Sequence, residues 1–167
     1  MAIARAAYRL RQFLGSLRPR VSAEERAELA PLLTAAEQRL FGSMTLRDRR
    51  HGLDVYWTLR RQGHQDHDLL TAALLHDLGK GRISLWHRVA YVLLSAAAPV
   101  LLRRLAAEEG AGWRQALWRC LHHPERGADM AAAVGSTPEV VRLIRLQETD
   151  DTGDSRLRLL RAADEAC

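Results

Sequence analysis

The stretch ALLHDLGKG, residues 73–81, runs apolar and then sets His76 and Asp77 side by side. An ionised carboxylate at the end of an apolar helix is costly unless it is paired or binds a metal. Neighbours on a helix diverge by about 100 degrees, so the two side chains do not face each other. They can converge on a third object at the helix end, and a metal ion is the obvious candidate. Three more side chains of ligand type stand in helical contexts. These are His51 in RRHGLDVYWTLRRQG, His123 in LHHPERGA and Asp164 in LRAADEA. Lys80 is the only lysine in a chain whose other cationic residues are all arginine.

The order His51, then His76-Asp77, then Asp164 resembles that of the HD-domain metal-dependent phosphohydrolases. ALLHDLGKG resembles that family's central motif, RRHGLDVYWTLRRQG its first-histidine helix, and LLRAADEA the helix bearing its last aspartate. The likeness covers residues 45–167, with residues 1–44 as a helical extension. It implies an all-α, multi-helix bundle and a divalent metal such as Mn, Fe, Co, Ni or Mg. It also implies hydrolysis of a phosphomonoester or phosphoanhydride by metal-activated water, with a small-molecule phosphate, a nucleotide above all, as substrate. Carried over residue by residue, it makes His51, His76, Asp77 and Asp164 the metal ligands. Asp77 would also orient the attacking water or accept its proton. Lys80 would act in catalysis as a compact cation on the substrate phosphate, with Arg82 and Arg126 as further phosphate contacts.

HHPERGADM is similar to the His-Pro-Glu-x-Gly-Ala segment of the HD-GYP branch. By that match His123, directly before Pro124, would aid a weak second metal or touch the substrate, and His122 is its less apt neighbour. The branch has a further His-His-Glu about one helix later, where this chain reads Leu146, Gln147, Glu148. Both histidines and the Gly-Tyr-Pro signature are absent. This departure argues against a bi- or trinuclear cyclic-dinucleotide phosphodiesterase and favours one well-held metal. It also leaves open a degenerate HD domain that binds metal or nucleotide as a regulatory module.

The elements that must position these residues all read as helices. A first helix is expected over 2–16. Ser22 and Glu25 form a capping box for a second, near 23–41, bent or split at Pro31. Thr45 caps a helix over 46–62 that ends at Gly63, and Asp66 caps one over 67–78. The latter is apolar almost all round, as a central buried helix must be. After a loop at 79–84, helices are expected near 85–108, 112–122 and 125–134. Thr137, with Pro138 at the first helical position, opens another to about 148. The acidic stretch ETDDTGD reads as solvated loop before a last helix over 154–166.

At 167 residues and 47% hydrophobic, the chain suits one folded domain with one core. Cys120 and Cys167 are too few for a disulfide framework, and a reducing cytoplasm is the simplest home. The net charge is +5. Arg5, Arg9, Arg11, Arg18 and Arg20 all precede the first acid, Glu24. That segment resembles an organelle transit peptide in composition. Its blander reading is an amphipathic surface helix, with contact to nucleic acid or an anionic membrane as the lesser option. VAYVLLSAAAPVLL, residues 89–102, holds fourteen residues without a charge, short of the ~20 a spanning helix needs. It reads as a buried or lid-like helix, or as an interfacial membrane contact. Trp57, Trp86, Trp113 and Trp118 read as core or groove-wall residues. His64, His67 and His87 read as surface or packing residues.

Overall fold

Side-chain caps set where the helices begin. Ser22 and Glu25 exchange hydrogen bonds with each other's backbone to open α1 (Ala23–Leu29). The helix expected to run on to residue 41 is split, because Pro31 has no N–H to continue the ladder. A second capping box, Thr34 with Glu37, then opens α2 (Ala35–Ser43). Thr45 caps α3 (Leu46–Arg61), and Gly63 follows it at φ 89°. Asp66 caps α4 (His67–Leu75), which stops short of the expected residue 78 and gives way to a 3-10 turn at Leu78–Lys80.

The expected helix over 85–108 is two, α5 (Leu85–Ala97) and α6 (Pro99–Leu105). Between them Ala98 sits at φ −149° and ψ 60°, out of the helical region, as a residue before proline tends to be. Next comes α7 (Gly112–Leu121). The following helix, α8 (His123–Ala133), starts two residues before the expected 125, because Pro124 suits a first turn. Thr137 caps α9 (Pro138–Leu146) and Asp154 caps α10 (Ser155–Ala166). The computed structural model describes residues 21–149 and 153–167, and these form ten α-helices with no strand. The expected first helix, the N-terminal arginines Arg5 to Arg20 and the middle of the acidic stretch lie outside the described residues.

Helix α4 is the axle. Residues 69–75 are all buried, and α2, α3, α9 and α10 pack around them. Leu53, Leu59, Leu74, Leu75, Leu143, Ile144 and Leu160 are fully buried there, each worth about 1.5–3 kcal/mol of transfer free energy. Leu29, Leu33 and Phe41 join the same core, so the described part of residues 1–44 shares it with the helices that follow. Helix α8 lies against α9 and the 3-10 turn, while α5 rests on α6 and α7.

Residues 89–102 are not a buried helix. Only Leu102 among them is buried, and α5 contains no buried residue. Trp86 is 78% exposed, and Trp113 is exposed as well, so neither is a core residue. Among the described residues no helix is long and apolar enough to cross a membrane. Cys120 and Cys167 are not joined in a disulfide.

Candidate metal centre

The end of α4 builds the centre by ceasing to be helical. His76 keeps helical angles, but Asp77 sits at φ −90° and ψ 3°, the bridge region where the ladder breaks. The break answers the problem of diverging neighbours, for His76 Nε2 lies 3.4 Å from Asp77 Oδ1. Lys80 N then donates to Asp77 O at 3.1 Å, closing the 3-10 turn. Side chains three apart eclipse in such a turn. Lys80 Nζ accordingly stands 2.5 Å from Asp77 Oδ1.

Two glycines let other elements come close enough to contribute. A Cβ on Gly79 would meet His123 O at 2.0 Å and Gly127 N at 2.7 Å. The turn therefore crosses the start of α8 backbone on backbone, and His123 arrives beside Asp77. A Cβ on Gly52 would lie 2.8 Å from Leu74 O. That close crossing of α3 and α4 sets the His51 and His76 rings edge to face at 5.1 Å. Asp164 reaches in from α10, next to the buried Ala163.

His51, His76 and Asp77 present ligand atoms that all lie within 4.8 Å of one another. His51 Nε2 donates to Asp164 Oδ1 at 2.7 Å, and His76 Nε2 is 3.4 Å from the same oxygen. His123 Nε2 stands 3.7 Å from Asp77 Oδ1 and 3.6 Å from Glu148 Oε1. The tautomers follow from the other ring nitrogens. Nδ1 of His76 faces Ala73 O at 2.9 Å, and Nδ1 of His123 faces Cys120 O at 2.8 Å. A carbonyl only accepts, so both Nδ1 atoms carry hydrogen and direct Nε2 into the cluster. His76, Asp77 and His123 are 1–3% exposed. Asp164, with its side chain 43% exposed, forms the open side.

His76 Nε2 and Asp77 Oδ1 are buried without a hydrogen bond of acceptable geometry, even though Lys80 offsets the charge of Asp77. Buried polar atoms are rarely left so. Two imidazole nitrogens and one buried carboxylate gathered within 4.8 Å, with Asp164 beside the histidines, fit a divalent cation of the Mn, Fe, Co, Ni or Mg kind. The second contacts hold as well, since the His76 ring is oriented by the Ala73 carbonyl behind it.

The charges reinforce one another. Burial opposes the ionised form of Asp77, but Lys80 and then the three histidines overcome it and hold the carboxyl well below its usual range. Burial likewise opposes ionised Asp164, and hydrogen bonds from His51 and His76 outweigh it and lower its pKa. Burial disfavours the His76 cation, yet Asp77 and Asp164 raise its pKa. His123 goes the other way, pushed down to about 4 by burial and then by Lys80, and is neutral near pH 7.

No family model, no curated protein and no solved structure matches the chain. The site therefore stands on its own geometry. The structure brings together His51, His76, Asp77, Lys80, His123 and Asp164. It leaves His122 outside, exposed and stacked on Trp118 at 4.8 Å. Arg126 donates from Nε to Gly79 O at 3.1 Å and covers the Trp118 ring, so it braces the turn. Arg82 is exposed. Two residues enter that the sequence reading passed over as candidates. Gln147 is buried and donates to His76 O at 2.8 Å, and Glu148 faces His123. The only sequence signal for Glu148 is that it keeps the third place of the His-His-Glu triplet.

Proposed function

We propose that the chain is a divalent-metal-dependent phosphohydrolase acting on a phosphomonoester or phosphoanhydride, with a nucleotide as the substrate of first choice. One observation carries this reading: His76 Nε2 is buried with no hydrogen bond, and its ligand atom lies within 4.8 Å of those of His51 and the buried Asp77, with Asp164 Oδ1 3.4 Å from it. His51, His76, Asp77 and Asp164 would hold the ion. A cation there would lower the pKa of a bound water and polarise a phosphoryl oxygen. The protein's own part is positional. Asp77 is ion-paired with Lys80 and remains ionised. His123, neutral, offers Nε2 as an acceptor beside it. Gln147 fixes the His76 carbonyl and so the helix end.

A second reading has its own support. Lys80 Nζ lies 2.5 Å from the oxygen of Asp77 that a metal needs, and a cluster closed by its own lysine suits a module that binds without turnover. The deciding experiment is metal content by elemental analysis on purified protein, followed by phosphate release from a nucleotide panel with Mn, Co or Fe. About one metal per chain with turnover supports the hydrolase. Tight nucleotide binding with no phosphate release at any metal loading supports the binding module.

A further inference from the structure

Helix α5 is amphipathic the wrong way round for a core element. Trp86 is 78%, Val89 41%, Val92 60% and Leu93 63% exposed, and they fall on one face of the helix at spacings of three and four. Tyr91 and Leu94, on the opposite face, are the partly covered ones. Beyond the break at Pro99, Val100 and Leu101 of α6 are 55% and 46% exposed. Exposed large apolar side chains grouped in this way mark an interaction site.

Charge identifies the occupant. From residue 69 to residue 107 the only acid is Asp77, and it is buried. The exposed charges next to the apolar face are Arg82 before it and Arg103 and Arg104 after it, with the acids Glu108 and Glu109 coming only beyond them. A second copy of the chain would bring arginines against arginines. Residues 1–20 carry five arginines and no acid, so that segment is repelled by the same rim. An anionic bilayer meets both demands, offering an apolar interior for the helix face and negative headgroups for the arginines. Trp86 at the start of α5 is the residue type that settles at the headgroup boundary.

We infer that the exposed face of α5 and α6, Trp86, Val89, Val92, Leu93, Val100 and Leu101 with Arg82, Arg103 and Arg104 at its edge, docks the protein in the plane of an anionic phospholipid membrane. The helix lies in the interface and does not cross it, in keeping with its length. The inference does not depend on metal binding or catalysis.

The test is flotation of the full chain with vesicles of mixed phosphatidylglycerol and phosphatidylcholine, read beside pure phosphatidylcholine. The wild type floats with the anionic vesicles, binds the neutral ones much less, and loses affinity as salt rises. The double variant Trp86→Glu, Leu93→Glu loses at least about tenfold in partitioning, because two apolar contacts become charges in the acyl boundary. Both positions face water, so its helical content and metal occupancy match the wild type. No binding of the wild type to anionic vesicles at low salt overturns the inference. Unchanged binding by the double variant overturns it too, and assigns any affinity to the arginine-rich N-terminal segment. A dimer in sedimentation that the double variant abolishes, without vesicle binding, replaces the membrane by a second copy.

Discussion

Helix α4 puts Leu69 to Leu75 out of reach of water, whereas α5 buries none of its residues. Both are apolar in sequence. The difference lies in the neighbours: four helices surround α4, while α5 rests chiefly on α6 and α7 and reaches α3 through the Arg88–Asp48 ion pair. Apolar composition sets how much a helix gains from cover, and the topology decides whether cover exists. Each helix also departs from the usual partition at one place. The first ends in a buried histidine nitrogen with no hydrogen bond beside a buried carboxylate, and the second exposes a run of large apolar side chains. Those two departures are where function is to be sought.

The largest effect should follow from cutting the polar end of α4. Asp77→Ala or His76→Ala removes a ligand from the centre of the cluster, and metal retention and activity should fall to background while helical content survives. Elemental analysis beside circular dichroism reads both. Full metal occupancy in either variant would show that the ligands lie elsewhere. Next in size is Gly79→Ala. Its new Cβ would need the space of His123 O, 2.0 Å away, and backbone does not move aside as a flexible side chain does. A loss of about 3 kcal/mol or more is expected from such overpacking, measured as a lower urea midpoint. A neutral result would mean that the turn and α8 are not in contact.

The comparison itself is tested by a matched pair. Leu75→Ala should cost about 2–5 kcal/mol, since it opens a cavity beneath the site. Leu93→Ala, at an exposed position, should change stability by no more than about 0.5 kcal/mol. Equal losses would place α5 in a core, and the docking surface with it.

Much of this was legible in the chain. Ser22, Thr45, Asp66 and Thr137 announce their helices because capping is local chemistry between residues three apart. Pro99 interrupts the apolar run at 89–102 by equally local chemistry, yet one helix is expected over 85–108 where the structure has two. The approach of His51, His76, Asp77 and Asp164 came through the motif order rather than through any spacing rule, because they sit on different elements. What stayed hidden was long-range. Gly79 meets Gly127 far along the chain, seen only when the turn and α8 cross. Lys80 reads as a phosphate contact until the 3-10 turn stacks it on Asp77. The exposure of α5 depends on which helices fail to reach it.

The subtlest test uses pH on metal-free protein. His123 has a folded pKa of about 4 against an ordinary 6.5, burial being the first cause and Lys80 the second. Between those values the unfolded chain takes a proton that the folded chain refuses. Stability should therefore decline as pH falls from 6.5 towards 4 and gain nothing from this group above 6.5. The other groups of the cluster leave most of that window clear. His76, raised, contributes below 6.5 and loses its contribution as pH rises through its folded value. Asp77 and Asp164, lowered, lose theirs only as pH falls below about 3.9, the ordinary aspartate value. Glu148 faces His123 and is raised by burial, so it works in the opposite sense near the acid end. The difference between wild type and His123→Gln isolates the imidazole. The variant should show a shallower fall in urea midpoint between pH 6.5 and 4, and parallel curves would mean that His123 is not held neutral against Asp77.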